Sequence, residues 1–380
     1  MRRVVVIGNP ASKRVDLFQQ ALARRRWPVA EVVPWLDVLA DPGRLAPLTS
    51  GAFVRLESPG RDFEVEKQLL ARGADEPDDE DPDAKRITAA TARELPFEKG
   101  RILYPRQWYR GFRAVLRELA QLDACWLNHP ADVIELFDKR LCQRRLADAG
   151  VSIPAPLGPA RSYEELLARM RETRKLRVFV KLACGSSGSG VVAFALGRDR
   201  VMATTSVELV SRDGRWLMFN SRRIRRYETH EEVAALFDTL CPEGVQVEEW
   251  LPKAGFRDGS CDLRVLIVAG QERHAIVRIS KTPLTNLHLL NERADVEELR
   301  YEVLAEDWDA AIGDCRKAAT AYPRCLYVGV DFAFAPGFGR HVVFEANAFG
   351  DLLPGLLWHG LDTYEAELAA LETHVSMSGS

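Results

Sequence analysis

A chain of 380 residues is long enough for two or three domains, and 47% apolar and 28% charged residues are ordinary for a globular protein. A formal net charge of −3 argues against a general nucleic-acid or membrane-surface binder, and no apolar run approaches the roughly 18 residues of a membrane span. Seven cysteines without a CxxC pair point to reduced thiols in a cytoplasmic protein, and the seven histidines show no ligand spacing such as HExxH.

The apolar run after Arg3 is too short for a signal peptide and reads as a first strand, ending at the turn Gly8-Asn9-Pro10. Residues 15–25 have helical spacing and residues 29–35 look like a second strand, so the chain opens as a βαβ unit does. Ligands of open α/β sheets sit beyond the carboxyl ends of the strands, which makes Asn9 a candidate wall of a substrate site. Residues 53–60 read as a short strand ending in a turn, in which Arg55 either faces solvent or binds an anionic group. Residues 75–83, DEPDDEDPD, hold seven acids and two prolines in nine positions. That composition predicts a solvated, disordered insertion without chemistry. A helix from Arg106 to about Leu122 carries arginines expected at the surface, and residues 124–127 form the last strand of the first domain.

Asn128-His129-Pro130 opens a helical region closed by Gly150, and Ile153-Pro154-Ala155-Pro156 is an extended linker. Ser162 with Glu165, and later Thr229 with Glu232, read as capping boxes. Between them a β-rich run ends in Lys181, and Gly185-Ser186-Ser187-Gly188-Ser189-Gly190 turns the chain into a second strand from Val191. Glycines let backbone approach a ligand and adopt positive φ. Serine hydroxyls and backbone N–H groups add donors, and the lysine adds a point charge. These are parts of a flexible lid over phosphates; the alternative is a mobile loop with no ligand. The order differs from a P-loop, since the lysine comes first and strand follows. Further strands are expected over residues 201–210, 216–220, 245–251, 262–269 and 273–280, then a loop over 281–293 and helices over 308–322 and 363–373.

Residues 327–335 and 341–347 alternate around a turn. If the hairpin is symmetric about Phe338, Asp331 lies directly opposite Glu345, and Asn347 projects from the same face. Val328, Val330, Phe332, Phe334, Val342, Phe344 and Ala346 would form the core. Two opposed carboxylates destabilise a hairpin, so a positive charge must compensate. A hard divalent cation such as Mg²⁺ uses oxygen ligands of this kind; nearby arginines are the alternative.

In order, these pieces resemble the ATP-grasp superfamily, in the branch containing the ribosomal-protein glutamate ligase and bacterial glutathione synthetase. The resemblance rests on Asp138-Lys139-Arg140 before a helix and Gly150 with Pro154 after it. It includes Lys181 before GSSGSG, the hinge-like Glu248-Glu249-Trp250-Leu251, and Asp262-Leu263-Arg264. Arg278, Thr285-Asn286-Leu287-His288, and the strands with Asp331 and Glu345-Ala346-Asn347 complete it. It spans about residues 128–360 and implies an α/β (α+β) ATP-grasp fold. A Rossmann-like pre-ATP-grasp domain (1–127) would precede two α+β subdomains (128–251 and 252–375) that clasp ATP.

What the resemblance implies about the site can be stated residue by residue. Lys139 and Lys181 would bind phosphates beneath Gly185, Ser186, Ser187, Gly188, Ser189 and Gly190. Glu248, with the backbone of Glu249, Trp250 and Leu251, would contact adenine, and Lys253 the ribose. Asp331, Glu345 and Asn347 would hold Mg²⁺, with Mn²⁺ as an alternative. Arg264 and Arg278 would hold the transferred phosphoryl group and the acyl phosphate, and Lys281, Asn286 and His288 would lie near the acceptor or the metal. The activity implied is ATP-dependent carboxylate–amine ligation. A phosphotransferase and a catalytically inactive nucleotide-binding protein are alternatives. Relatives usually have glycines after the Asn-Leu pair, whereas here His288-Leu289-Leu290-Asn291 follows. The acceptor is therefore open among small molecules, amino acids, peptides and proteins, with neither nucleic acid nor membrane as a partner. Many relatives are dimers or tetramers, and no patch in the sequence decides that here.

Overall fold

The computed structural model describes residues 3–78, 80–185, 188–285 and 292–378. The first sheet is parallel and four-stranded, in the order Glu31–Pro34, Val4–Gly8, Phe53–Leu56, Cys125–Trp126. Parallel neighbours need crossover connections, and the helices Lys13–Arg24, Phe63–Arg72 and Pro105–Leu119 lie in them. The strand expected over residues 29–35 ends early. Pro34 has no N–H to continue the ladder, and the buried Trp35 starts the helix Trp35–Ala40.

The second sheet is antiparallel, in the order Pro156–Gly158, Val245–Glu249, Arg177–Leu182, Val191–Leu196, Val201–Arg212, Arg215–Tyr227. Helices Tyr163–Glu172 and His230–Leu240 cover one face through Leu166, Met170, Leu236 and Phe237. Thr229 and Glu232 complete a capping box. At Ser162 only half of one forms, because the Glu165 carboxylate accepts from the Arg161 N–H instead. The third sheet runs Glu292–Ala294, Gln271–Ser280, Gly259–Val268, Tyr327–Phe334, His341–Asn347, with Gly255–Phe256 also paired to Gly259–Val268. Val265, Ile267 and Val330 of this sheet share one buried cluster with Val5, Ile7, Leu56 and Phe112 of the first unit. The second sheet packs around a core of its own.

The helical region after Pro130 is broken in two. Asp138, in extended conformation, ends Pro130–Phe137 and caps Lys139–Asp148 by accepting the Arg140 N–H at 2.9 Å. The break puts Lys139 at the first position of a new helix, with its own N–H on the Ala183 carbonyl.

The described residues of the acidic stretch, 75–78 and 80–83, are tied into the fold and do not form a solvated insertion. Asp78 is buried and pairs with Arg106 and Arg110, Asp81 accepts from Arg140 at 3.2 Å, and Arg106 also pairs with Asp138. Arg106 and Arg110, expected at the surface, are buried for the same reason. Burial alone would raise the Asp78 pKa, but the two guanidiniums hold it well below the usual carboxylate range. The stretch thus braces the start of the helix that carries Lys139.

Arg55 faces neither solvent nor an external anion. It is fully buried, donates to Glu57 at 2.6 Å, pairs with Asp351 and Glu367, and lies against Phe18, Tyr327 and Tyr364. Arg14 pairs with Glu57 and Asp351 from the other side. Two guanidiniums face three carboxylates, so one proton balances the cluster. Burial pushes Glu367 up to about 8, against the pull of Arg55 and helped by Asp351. An unfolded glutamate titrates near 4.5, so between the two values the native state holds a proton that the unfolded state has released. The stability this group contributes is full below about pH 4.5 and declines until about pH 8. Glu367→Gln is expected to flatten that decline, read as urea midpoints across this range. An unchanged slope would contradict the assignment.

Candidate functional site

The concave face of the second sheet, the hairpin of the third, and the loops of the first enclose one cavity of about 1320 Å³. Lys181 enters from the strand Arg177–Leu182, opposite Gln246, and its ammonium pairs with the buried Glu248. Glu248 also accepts from Gln143 at 3.2 Å and Gln246 at 3.3 Å. Phe179 and Phe344 supply apolar wall, the latter with its ring 5.8 Å from the Lys181 ammonium and 5.1 Å from that of Lys253. The result is a pocket with an apolar wall and a few converging polar groups, as ligand sites commonly are.

Lys139 reaches the same cavity from its helix start. Its Nζ donates to the Gly185 carbonyl at 2.6 Å and pairs with Glu345 at 3.1 Å. Burial would lower its pKa, but Glu345 overcomes this and raises it, so the ammonium stays charged. Gly185, Gly188 and Ser189 line the cavity. Gly188 and Gly190 have φ of 72° and 65°, and a Cβ on Gly190 would lie 2.3 Å from Leu182 Cδ1. The tight return into the next strand therefore requires glycine there. Ser186 and Ser187 lie outside the described residues, as do Asn286 and His288.

Asp331 and Glu345 are directly opposed, as expected. The reason differs from a symmetric turn. Near the turn the register is offset by one, with Phe332 opposite Val343, and a bulge between the Phe332 and Asp331 pairs restores the pairing. Phe344 is the extra residue. It is only partly buried and turns into the cavity rather than into the core, which corrects its expected place. Asn347 lies opposite Gly329 and donates to its carbonyl at 3.3 Å.

Each carboxylate here is matched by a cation. Arg264 binds Asp331 in a two-point contact at 2.6 and 2.5 Å, and Arg278 approaches it at 3.3 Å. Arg278 donates to Asp262 at 2.6 Å, and Asp262 also takes Lys253 at 3.0 Å and the Thr285 hydroxyl. Burial would raise the Asp331 pKa, but Arg264 and Arg278 bring it down to about 2. Burial lowers the pKa of Lys253 more than Asp262 restores it.

The donors fit a hard divalent cation in kind. Asp331, Glu345 and Asn347 offer oxygens only, on one face of one hairpin, and leave further positions for phosphate oxygens. Among the described residues no cluster of three or more His, Cys, Asp or Glu side chains has the form of a self-sufficient metal site.

Other expected residues stand elsewhere. Lys281 is exposed, pairs with Asp258 at 2.7 Å and does not line the cavity. The Glu249 carboxylate pairs with Lys175 and the Trp250 ring packs on Phe179, while Leu251 borders a separate recess of about 230 Å³. Lys253 lines the cavity, with its ammonium engaged by Asp262 and Thr285. Sequence reasoning gave no role to Gln143, Gln246, Asp262 or Thr285. Asp262 had a signal, since it stands two residues before Arg264 and so shares its face. Asn9 does line the far wall, where its amide holds the Pro59 and Gly60 carbonyls at 3.1 and 3.3 Å.

The sequence matches no protein-family model and no curated protein. The fold does have solved counterparts. The ATP-grasp ligase PsnB, in complex with a phosphomimetic variant of its minimal precursor, Mg and ADP, is 17% identical with a TM-score of 0.52, over 99% of both chains. D-cycloserine synthetase DcsG is 15% identical with a TM-score of 0.55, over 96% of this chain and 98% of that one. D-alanine–D-alanine ligase from Bacillus anthracis, complexed with ATP, is 13% identical with a TM-score of 0.51, over 99% and 98%. The chain thus shares the fold of these ATP-grasp ligases over 96–99% of its length.

Proposed function

We propose that the chain is an ATP-dependent carboxylate–amine ligase. It forms an amide or peptide bond through an acyl phosphate and releases ADP and phosphate. The observation that carries this reading is one cavity in which Lys139, Lys181, the glycine turn, Arg264 and Arg278 converge on the opposed pair Asp331 and Glu345. The fold shared with ATP-grasp ligases supports it.

The residues divide the work by their chemistry. Glu248, Phe179 and Phe344 suit the base of ATP, and Lys139 and Lys181 its phosphates. Asp331, Glu345 and Asn347 would hold Mg²⁺, which when bound neutralises charge on the phosphates. A carboxylate oxygen of the first substrate attacks the γ-phosphorus and ADP leaves. The amine nitrogen then attacks the acyl carbon, the acyl C–O bond breaks, phosphate departs, and the amine loses a proton. Arg264 and Arg278 are fixed by Asp331 and Asp262, so their guanidiniums are oriented before the phosphoryl group moves. An acyl phosphate hydrolyses readily, so water must be kept out. A second sheet with its own core and a glycine turn at its cavity end suits a closing lid. The cavity exceeds the ~300–1,000 Å³ of common ligand pockets. Its far end, at Asn9, Phe63 and Phe97, leaves room for acyl and amine substrates beside the nucleotide. No disulfide forms among the described cysteines, which fits a reducing compartment such as the cytoplasm.

The test is release of ADP and phosphate from Mg·ATP with pooled carboxylates and amines, including amino acids, short peptides and a desalted protein extract. Release that needs both pools, with equal ADP and phosphate, is expected. ADP with a stable phosphorylated product and no phosphate would replace the ligase with a phosphotransferase.

A further inference from the structure

The last strand of the second sheet, Arg215–Tyr227, has two halves. Its first half is covered: Arg101 bridges to Phe219, the Ile102 N–H binds the Met218 carbonyl, and the Asn220 N–H binds the Gly100 carbonyl. Along its second half, Ser221 to Tyr227, no described strand pairs with the outer edge. The register also breaks there. Val207 faces Asn220 and Thr205 faces Arg225, so a bulge holds Ser221, Arg222, Arg223 and Ile224 against Ser206 alone.

This open edge is the most basic stretch of a chain whose net charge is negative: Arg222, Arg223, Arg225 and Arg226 occupy four of five consecutive positions. Arg225 pairs with Glu208, whereas Arg222, Arg223 and Arg226 are exposed with no carboxylate partner among the described residues. The edge continues into the cavity. Asn220 lines it, and the single Ser206 hydroxyl proton lies between the Asn220 Oδ1 at 2.9 Å and the Gly188 carbonyl of the glycine turn at 3.2 Å. Cross-strand neighbours from Glu248 through Phe179, Ala193 and Thr204 to Arg226 put Arg226 on the cavity face of the sheet.

We propose that Ser221 to Tyr227 is the docking edge for an acidic segment of a peptide substrate, which adds to the sheet as a strand and is led past the glycine turn into the cavity. This rests on the ligase reading and narrows its substrate to a peptide. An exposed edge offers main-chain partners to an extended chain; the bulge and the arginines oppose pairing with a second copy of this edge, whereas an acidic chain complements their charge. A nucleic acid would use the same arginines but not the edge, and the negative net charge of the protein opposes it.

The test measures fluorescence anisotropy of labelled peptides with the full-length protein at low salt. A peptide of alternating Glu and Val is expected to bind. The triple variant Arg222→Ser, Arg223→Ser, Arg226→Ser should weaken it about tenfold, as loss of three rim charges would. Peptides of alternating Gln and Val, and of Glu and Pro, should bind more weakly, since one lacks charge and the other the N–H groups a ladder needs. The proposal falls if the Glu–Val peptide does not bind, if the variant binds it equally, or if either control peptide matches it. Tighter binding of a single-stranded oligonucleotide through the same arginines also overturns it. Mg·ATP binding is measured in parallel. If wild type and variant both retain it, a failed peptide result removes only this inference; if wild type lacks it, the ligase reading itself fails.

Discussion

Glu345→Gln is expected to lower ligase turnover roughly 10²–10³-fold, the usual cost of removing one preorganised electrostatic group, with a much smaller loss of thermal stability, since Lys139 loses its carboxylate but keeps the Gly185 carbonyl. Glu345 is the less buried of the opposed carboxylates, with 28% of its side chain exposed, and glutamine keeps its shape. The loss falls on kcat if the carboxylate acts when phosphoryl charge moves, and on the KM for ATP if it acts only in binding. Both are read from initial rates of ADP release with the substrates found by the pooled assay. Turnover within a factor of about three of wild type would remove Glu345 from the machinery.

Arg55→Ala carries the largest expected effect on stability. The substitution leaves Glu57, Asp351 and Glu367 buried with Arg14 as the remaining cation of the cluster, and strips the aromatic faces of Phe18, Tyr327 and Tyr364 of their partner. Breaking a buried ion pair from one side costs roughly 3–5 kcal/mol. Asp351 and Glu367 come from the last third of the chain and Arg55 from the first sheet, so the cluster pins these two parts together. Urea unfolding of wild type and variant measures the cost. A difference under about 1 kcal/mol would mean that the cluster adds nothing net.

The sequence made the opposed pair Asp331 and Glu345 legible because side-chain alternation and the short turn leave few registers. It could not show that an offset turn and a bulge cancel, and so it placed Phe344 in the core. That Lys139 and Lys181 meet at one cavity was legible from neighbouring motifs. The break that aims Lys139 was legible only through the resemblance, which puts Asp138-Lys139-Arg140 before a helix; the residue pattern alone reads as one helical region closed by Gly150. Composition failed most clearly at residues 75–83. Charge density alone predicts disorder, but the arginines that match Asp78 and Asp81 stand 28 to 59 positions away along the chain. Arg55 failed in the same way, its partners Asp351 and Glu367 being 296 and 312 positions distant. Lys281 failed for the opposite reason. Its position just past the end of the strand that carries Arg278 said nothing about which way its side chain turns.

The most direct test of the ligase reading follows oxygen. Pooled carboxylates enriched in ¹⁸O are incubated with Mg·ATP, the amine pool and the full-length protein, and the released phosphate is analysed by mass spectrometry. An acyl phosphate that an amine cleaves at the acyl carbon delivers one ¹⁸O from the carboxylate to phosphate, and the account predicts that label, dependent on the amine and lost with Glu345→Gln. Phosphate released without label, or a phosphoryl group retained on an organic product, would contradict it.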